Sequence, residues 1–367
     1  MGSTTVLVTG GAGFIGQHLC EALLNSGYEV RILDALIEQV HNGRAPVRSD
    51  AELIVGDVRD KVVIDRALRG VDAVVHLAAE VGVGQSMYEI DRYVSVNDRG
   101  TAVLLQAMLK RSIRRIVIAS SMSIYGEGLY CNADGELVED ACRNVAALSG
   151  WDPVDSRGRP LMPVATPEWK RPSLASVYAI TKYTQERLVL TVAEAYGFDA
   201  VALRLWNAFG PGQALGNPYT GVLAIFASRL LNRQPPLIFE DGRQQRDFVD
   251  VRDVAQAFVR ALTVKAAAGG VFNIGSGVCT TVSEVAERLS GAMERKRIRP
   301  LILGKHRKGD VRHNVPDIGR AREVLGYAPR HTLDDGLPGL VDWLRGQQPP
   351  DHVPHARREL ERRGLVA

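Results

Sequence analysis

Residues 9–16, TGGAGFIG, follow directly on the apolar run TVLV at 5–8, and their reading decides the fold. The glycines satisfy two overlapping spacings: Gly11, Gly13 and Gly16 give GxGxxG, while Gly10, Gly13 and Gly16 give GxxGxxG. A chain with 36 glycines in 367 residues produces such matches by chance, so the flanks carry the weight. The apolar run reads as a buried strand. Beyond it, Phe14, Ile15, Leu19, Ala22 and Leu23 recur at helical spacing. Strand, glycine turn and helix together aim backbone N–H groups and a helix N-terminus at a pyrophosphate. The plain alternative is a tight turn with no ligand.

Working outward, the strand–helix rhythm continues. Short apolar runs at 4–10, 28–34, 51–57, 72–79, 114–121 and 199–207 read as strands, with amphipathic segments between most of them. Such alternation implies right-handed crossovers and a parallel sheet. Residues 269–276, GGVFNIGS, read as one more strand returning to the same sheet. The expected class is α/β: a doubly wound parallel sheet over residues 1–207, then a smaller α/β domain over 208–345. Residues 126–172 are too long and too rich in Gly, Pro, Asp and Arg for an ordinary connection, and read as an excursion from the sheet. Residues 346–367 read as a polar tail whose HARRELERR segment is a solvated helix.

Composition narrows the partners. With 46% hydrophobic and 24% charged residues, the chain has an ordinary globular balance, and a net charge of +3 is too small to call for nucleic acid. No apolar run approaches the roughly 20 residues of a membrane span. The N-terminus lacks the pattern of a signal peptide, and four scattered cysteines do not form a disulfide framework, so the expected compartment is cytoplasmic.

Asp34 ends the second strand, 18 residues after Gly16. A carboxylate there accepts hydrogen bonds from a ribose 2′-hydroxyl and repels a 2′-phosphate, which favours NAD over NADP. In GDVRD (56–60), Asp57 is placed to accept an adenine amino group, with a helix N-cap as the alternative. HLAA (76–79) ends the fourth strand in small residues that suit a flat ligand.

The chemistry lies in SVYAITK, where Tyr178 and Lys182 stand four apart, on one face of a helix. A free tyrosine, with a pKa near 10, is a poor base at neutral pH. Lowering it by about three units takes roughly 4 kcal/mol of differential interaction, which a neighbouring ammonium can supply. Ser120, Ser121 and Ser123, at the end of the fifth strand, offer a hydroxyl to the substrate oxygen whose proton the tyrosine removes.

These motifs, with LRLWNAFGP (203–211), RDFVDVRDVA (246–255), NIGSG (273–277) and RKGDVRHNVPD (307–317), recur in an order that resembles the extended short-chain dehydrogenase/reductase family, specifically its nucleotide-sugar epimerases. The resemblance covers residues 4–345. It implies a Rossmann-type fold, bound NAD, a nucleotide-diphosphate sugar as substrate and a homodimer through residues 99–111 and 177–197. It also implies catalysis by Tyr178, Lys182 and Ser121. The cofactor would meet Gly10, Gly13, Phe14, Ile15, Gly16, Asp34, Asp57, Val58, Leu77, Ala78, Ala79, Tyr178 and Lys182. The substrate would meet Ser121, Ser123, Asn207, Val222, Arg246, Arg307 and Asp310.

Within the family, WNAFGPGQALGNPYTGV (206–222) looks most like enzymes that act on dTDP-L-rhamnose at C4 and give dTDP-6-deoxy-L-talose. The family's 4,6-dehydratases carry Asp–Glu before IYG; here Met122 and Ser123 stand there, and neither can move protons between C5 and C6. Relatives in the suspected branch often hold zinc in the insert through paired CxxC half-sites. Only Cys131 stands at such a position here and Cys142 is off-register, so no metal is expected. The alternatives are a UDP-hexose or UDP-hexuronate 4-epimerase, an NAD-linked oxidoreductase on the same substrates, and a non-catalytic NAD sensor. The intact Ser121, Tyr178 and Lys182 speak against the sensor.

Overall fold

All seven apolar runs enter one parallel sheet. The computed structural model describes residues 4–41, 48–143, 150–219 and 221–366; residues 144–149 of the expected excursion lie outside these. The strands are β1 (Thr5–Thr9), β2 (Glu29–Asp34), β3 (Glu52–Val55), β4 (Ala73–His76), β5 (Arg115–Ser121), β6 (Asp199–Leu205) and β7 (Val271–Ile274). They lie in the order β7-β6-β5-β4-β1-β2-β3, each pair parallel. The direction of winding reverses between β1 and β4, which opens a crevice at the carboxyl ends of those two strands.

Strand periodicity explains why both faces are covered. Val6 and Val8 point into one core layer, and Leu7 between them into the other. Around the sheet and beyond it lie α1 (Phe14–Asn25), α2 (Lys61–Ala67), α3 (Gly100–Met108), α4 (Val177–Tyr196), α5 (Val222–Leu231), α6 (Val251–Thr263), α7 (Val282–Ala292), α8 (Leu333–Leu344) and α9 (Val353–Arg362). Helices α1 and α6 bring Leu19, Leu23, Val254 and Phe258 to the first layer. Helices α2, α3 and α4 bring Ile64, Leu104, Met108 and Val189 to the second. The smaller unit has its own core, where Phe226 of α5, Leu289 of α7 and Leu340 of α8 meet Phe209 and Phe248.

In the excursion, Leu129–Cys131, Leu137–Val138 and Met162–Val164 form a small antiparallel sheet. Ion pairs tie it to the rest of the molecule: Arg143 reaches Glu127 and Glu240, and Arg312, 1% exposed, meets Asp152, Glu240 and Asp241. The tail departs from the sequence reading. Helix α9 is not solvated on all sides: Ala356 and Leu360 are buried, Glu361 pairs with Lys305 at 3.1 Å, and Asp351 before it pairs with Arg229 at 2.7 Å. Val353, Ala356 and Leu360 make a narrow apolar stripe, enough to seat a short helix whose other faces are charged.

Candidate active site

The residues expected to meet the cofactor stand at or after the carboxyl ends of β1, β2, β3 and β4, and on α4. Gly10 leaves β1 with φ +71°, and a Cβ on it would stand 2.8 Å from the Ala78 nitrogen. A Cβ on Gly16 would stand 2.4 Å from the Gly10 carbonyl oxygen, so the helix can approach the turn this closely only with glycine there. Gly13 is the N-cap of α1, and among the described residues no side chain caps that helix and no acid sits in its first turn. The first-turn amides, Phe14 and Ile15 among them, face outward at the positive end of the helix dipole, a fit for a diphosphate. Asp34, at the tip of β2, accepts from the Ala12 and Leu36 amides at 3.0 and 2.9 Å and lies 3.2 Å from His41. Its carboxylate is therefore fixed beside the glycine turn, where a ribose would lie. Leu77 and Ala78 hydrogen-bond back to Thr9 and form the opposite wall with Ala79.

Asp57 is engaged by a neighbouring side chain. Its carboxylate accepts from the Arg59 guanidinium at 2.6 and 2.9 Å, and the Arg59 hydrogen bond holds its carboxyl below the usual range. The helix cap proposed for it is instead Asp60, which accepts from the Val62 and Val63 amides. An adenine amino group at Asp57 would share it with Arg59. Val58 is buried against Gly100, where a Cβ would come within 2.7 Å, and so shapes the floor of this region.

Helix α4 starts at Ser176, whose hydroxyl accepts from the Ala179 amide at 3.1 Å. That cap fixes the register which brings Tyr178 and Lys182 to the end of the sheet. Burial raises the Tyr178 phenol above its ordinary value, and a hydrogen bond from Ser121 opposes that rise. Ser123 Oγ donates to Ser121 Oγ at 2.9 Å, which leaves the Ser121 hydrogen free for the tyrosine oxygen. Ser120 is not part of this relay: it donates to Glu186 at 2.6 Å, within a buried group that includes Arg204. Lys182 is 3% exposed, and burial lowers its pKa to about 7 against the pull of Glu186 and Asp98. Its ammonium donates to Gln185 Oε1 at 2.8 Å, a partner that no motif indicated.

Beyond Ser123 opens a cavity of about 280 Å³, lined by Ser123, Asn207, Val222, Arg246, Arg307 and Asp310 together. Val222 begins α5 behind a Gly221 N-cap with no side-chain cap among the described residues, so a second helix N-terminus faces the cavity. Arg307 donates to Asp310 at 2.8 Å and stacks over Phe239, 4.7 Å from its centroid. Burial would raise Asp310, yet Arg307 and Arg246 hold it below the usual carboxylate range. Arg246 is buried, and its guanidinium donates to the carbonyls of Gln245, Val311 and Arg312. It therefore braces the 310–312 loop as well as lining the cavity. Asn207 donates to the Asp247 carbonyl at 2.8 Å. Asp247 in turn accepts from the Ser276, Gly277 and Val278 amides, which joins the RDFVDV and NIGSG motifs into one support.

The cavity lining also includes apolar residues, Val83, Gly84, Met87 and Tyr219, with Val353, Ala356 and Leu360 of α9. Arg357 and Lys308 also line it. Sequence reading missed all of these. Among the described residues no group of three or more His, Cys, Asp or Glu side chains gathers as a metal ion needs, and no helix is long and apolar enough to cross a membrane.

Tyr178 beside Ser121, with Ser123 on the wall of a pocket that also carries Arg246 and Arg307, marks the candidate active site of an enzyme. The chain belongs to the NAD dependent epimerase/dehydratase family, whose model matches residues 6–143 and 163–275. The gap between those segments falls on the excursion. The chain is 37% identical over 351 residues to a dTDP-L-rhamnose 4-epimerase of Burkholderia thailandensis, covering 92% of this chain and 94% of that protein. It is similar to the UDP-glucose 4-epimerase of Thermotoga maritima with UDP-glucose, at 30% identity and a TM-score of 0.75, covering 93% and 99% of the two chains. The UDP-glucose 4-epimerase of Thermus thermophilus in complex with NAD is also 30% identical, with a TM-score of 0.73 over 94% and 100%.

Proposed function

We propose that this chain is a nucleotide-sugar 4-epimerase that inverts C4 through a transient 4-keto sugar, with dTDP-L-rhamnose and dTDP-6-deoxy-L-talose as its substrate pair. The observation that carries the reading is Ser121 beside Tyr178, with Ser123, hydrogen-bonded to Ser121 at 2.9 Å, on the cavity wall. The glycine turn, Asp34 and Lys182 would hold NAD, which when bound would supply reversible hydride acceptance. Tyr178, as phenolate, takes the 4-hydroxyl proton and later returns it from the same position. Ser121 has one hydrogen, which would turn from the tyrosine oxygen to the sugar oxygen when substrate binds and orient that oxygen toward Tyr178. Arg246, Arg307, Asn207 and the start of α5 hold the diphosphate, so that the sugar can turn while the nucleotide stays fixed. Met122 and Ser123 offer no acid–base pair for dehydration. The 37% relative favours the rhamnose branch. Likeness to UDP-glucose 4-epimerases supports a UDP-hexose as the second reading.

A panel of dTDP- and UDP-sugars followed by proton NMR, without added NAD⁺, tests both readings. Conversion of dTDP-L-rhamnose to the same equilibrium from either side is the expected result. Turnover only with added NAD⁺ and release of NADH would make the chain an oxidoreductase. The cofactor freed on denaturation should chromatograph as NAD(H), given Asp34; NADP(H) alone would overturn that assignment.

A further inference from the structure

Lys182 and Gln185 are both buried, at 3% and 1% exposed, and they meet at 2.8 Å. A glutamine can turn either its oxygen or its nitrogen to a neighbour, and here the surroundings decide which. Thr101 Oγ1 lies 2.6 Å from the Asn97 carbonyl oxygen, and a carbonyl only accepts, so the threonine hydrogen points there. Thr101 must then accept from its other neighbours, Gln185 Nε2 at 2.8 Å and His76 Nε2 at 2.9 Å. With its nitrogen on Thr101, Gln185 turns its oxygen to Lys182. His76 carries its proton on Nε2, so its Nδ1 accepts from Thr9 Oγ1 at 2.7 Å. The ring is neutral: burial and the nearby Lys182 charge lower its pKa to about 3. Two donor trains thus converge on Thr101 Oγ1, one from Thr9, at the start of the glycine turn, through His76 and one from the Lys182 ammonium through Gln185, and both end on the Asn97 carbonyl.

We propose that Gln185 is a positioning residue, which holds the Lys182 ammonium in place beside the cofactor crevice and keeps it charged for Tyr178. What the charged lysine does for catalysis rests on the epimerase reading; the hydrogen-bond train does not. A buried ammonium without an acceptor gives up its proton. The charged and titratable groups that face Lys182 are Glu186 on α4, Asp98 on the 94–99 segment and His76 on β4. Glu186 is bound to Arg204 and Ser120, and Asp98 is itself raised to about 6 by burial, so neither replaces a direct acceptor. Loss of Gln185 therefore lowers the lysine pKa, and the ammonium disappears at a lower pH as pH rises.

The test is a carbon-13 NMR titration of protein labelled at the lysine ε-carbons, with NAD present, the Lys182 signal being assigned by its loss in Lys182→Arg. Gln185→Met should lower the Lys182 pKa by about one unit. It should also cut kcat at pH 7 by about tenfold, leave KM within about twofold, and move the alkaline limb of the kcat profile downward. Gln185→Glu keeps an acceptor; it should raise the lysine pKa and restore kcat to within about threefold of wild type. Thr101→Val, which frees the amide to flip, should fall between. An unchanged Lys182 titration in Gln185→Met overturns the proposal. So does equal loss of kcat in the Met and Glu variants, which would mark a packing role only. Should Gln185→Met fail to fold, an unchanged lysine pKa in both Gln185→Glu and Thr101→Val would overturn it equally. If wild type turns over no nucleotide sugar, the epimerase reading falls while the titration still decides the role of Gln185.

Discussion

At Tyr178, burial and hydrogen bonding oppose each other: burial raises the phenol, and the Ser121 hydroxyl pulls it back. The cation we propose to complete the task is Lys182, one turn along α4. Tyr178→Phe removes the proton-transfer group with almost no change in ring volume, so Arg246, Arg307 and Asn207 should still bind the nucleotide sugar. We expect kcat to fall toward the upper end of 10²–10⁴-fold, about 10⁴, because hydride leaves C4 poorly while its hydroxyl keeps the proton. Lys182→Met should be comparably inactive and should also retain less NAD through gel filtration. Proton NMR of the anomeric signals checks the rate, and wild-type turnover in Tyr178→Phe would mean another base. That Tyr178 and Lys182 stand on one face of α4 was legible in the sequence, because helical spacing fixes it. Which serine assists was not, because Ser120 and Ser121 point to opposite faces of β5, and only the packed partner on each side tells them apart.

Among the elements, α9 shows where a pattern can be read but its partner cannot. Its stripe of Val353, Ala356 and Leu360 is visible in the sequence, yet a stripe names no surface to rest on. In the structure it lines the cavity, and the backbone beyond it is held as well. Lys308 donates its amide to the Leu365 carbonyl at 2.9 Å, and Arg307 forms a bridge with Val366. The element thus supports the loop that carries Arg307 and Asp310. Ending the chain after His352 should raise KM for the nucleotide sugar by about tenfold or more and leave the cofactor content unchanged. The two effects separate because α9 lines the substrate cavity, whereas the glycine turn and Asp34 belong to the crevice. Initial rates over a range of substrate, with bound cofactor quantified in the same preparation, make the comparison. An unchanged KM would reduce α9 to a packing element.

For the whole molecule, strand–helix alternation was enough to place seven strands in a parallel sheet, because right-handed crossovers leave few ways to wind them. The ion pairs that join the excursion to the smaller unit were not legible. Arg143 with Glu240, and Asp152 with Arg312, are separated by about a hundred residues or more, and charge alone selects no partner at that distance. Helices α3 and α4 lie side by side on the sheet, yet Ile90, Val94, Leu109 and Ile180 on and around them remain 52, 43, 37 and 46% exposed. Single exposed apolar residues need no explanation, but a group on neighbouring helices points to a partner surface. A two-fold pairing buries each copy against its twin with no open end for further growth. We therefore expect light scattering at micromolar concentration to give about twice the 40.0 kDa of one chain. Ile180→Glu together with Leu109→Lys should shift that mass toward one chain with NAD still bound, since both side chains are exposed on the outer helical layer. A wild-type mass of one chain under those conditions would refute the dimer and leave the apolar group on α3 and α4 without a partner.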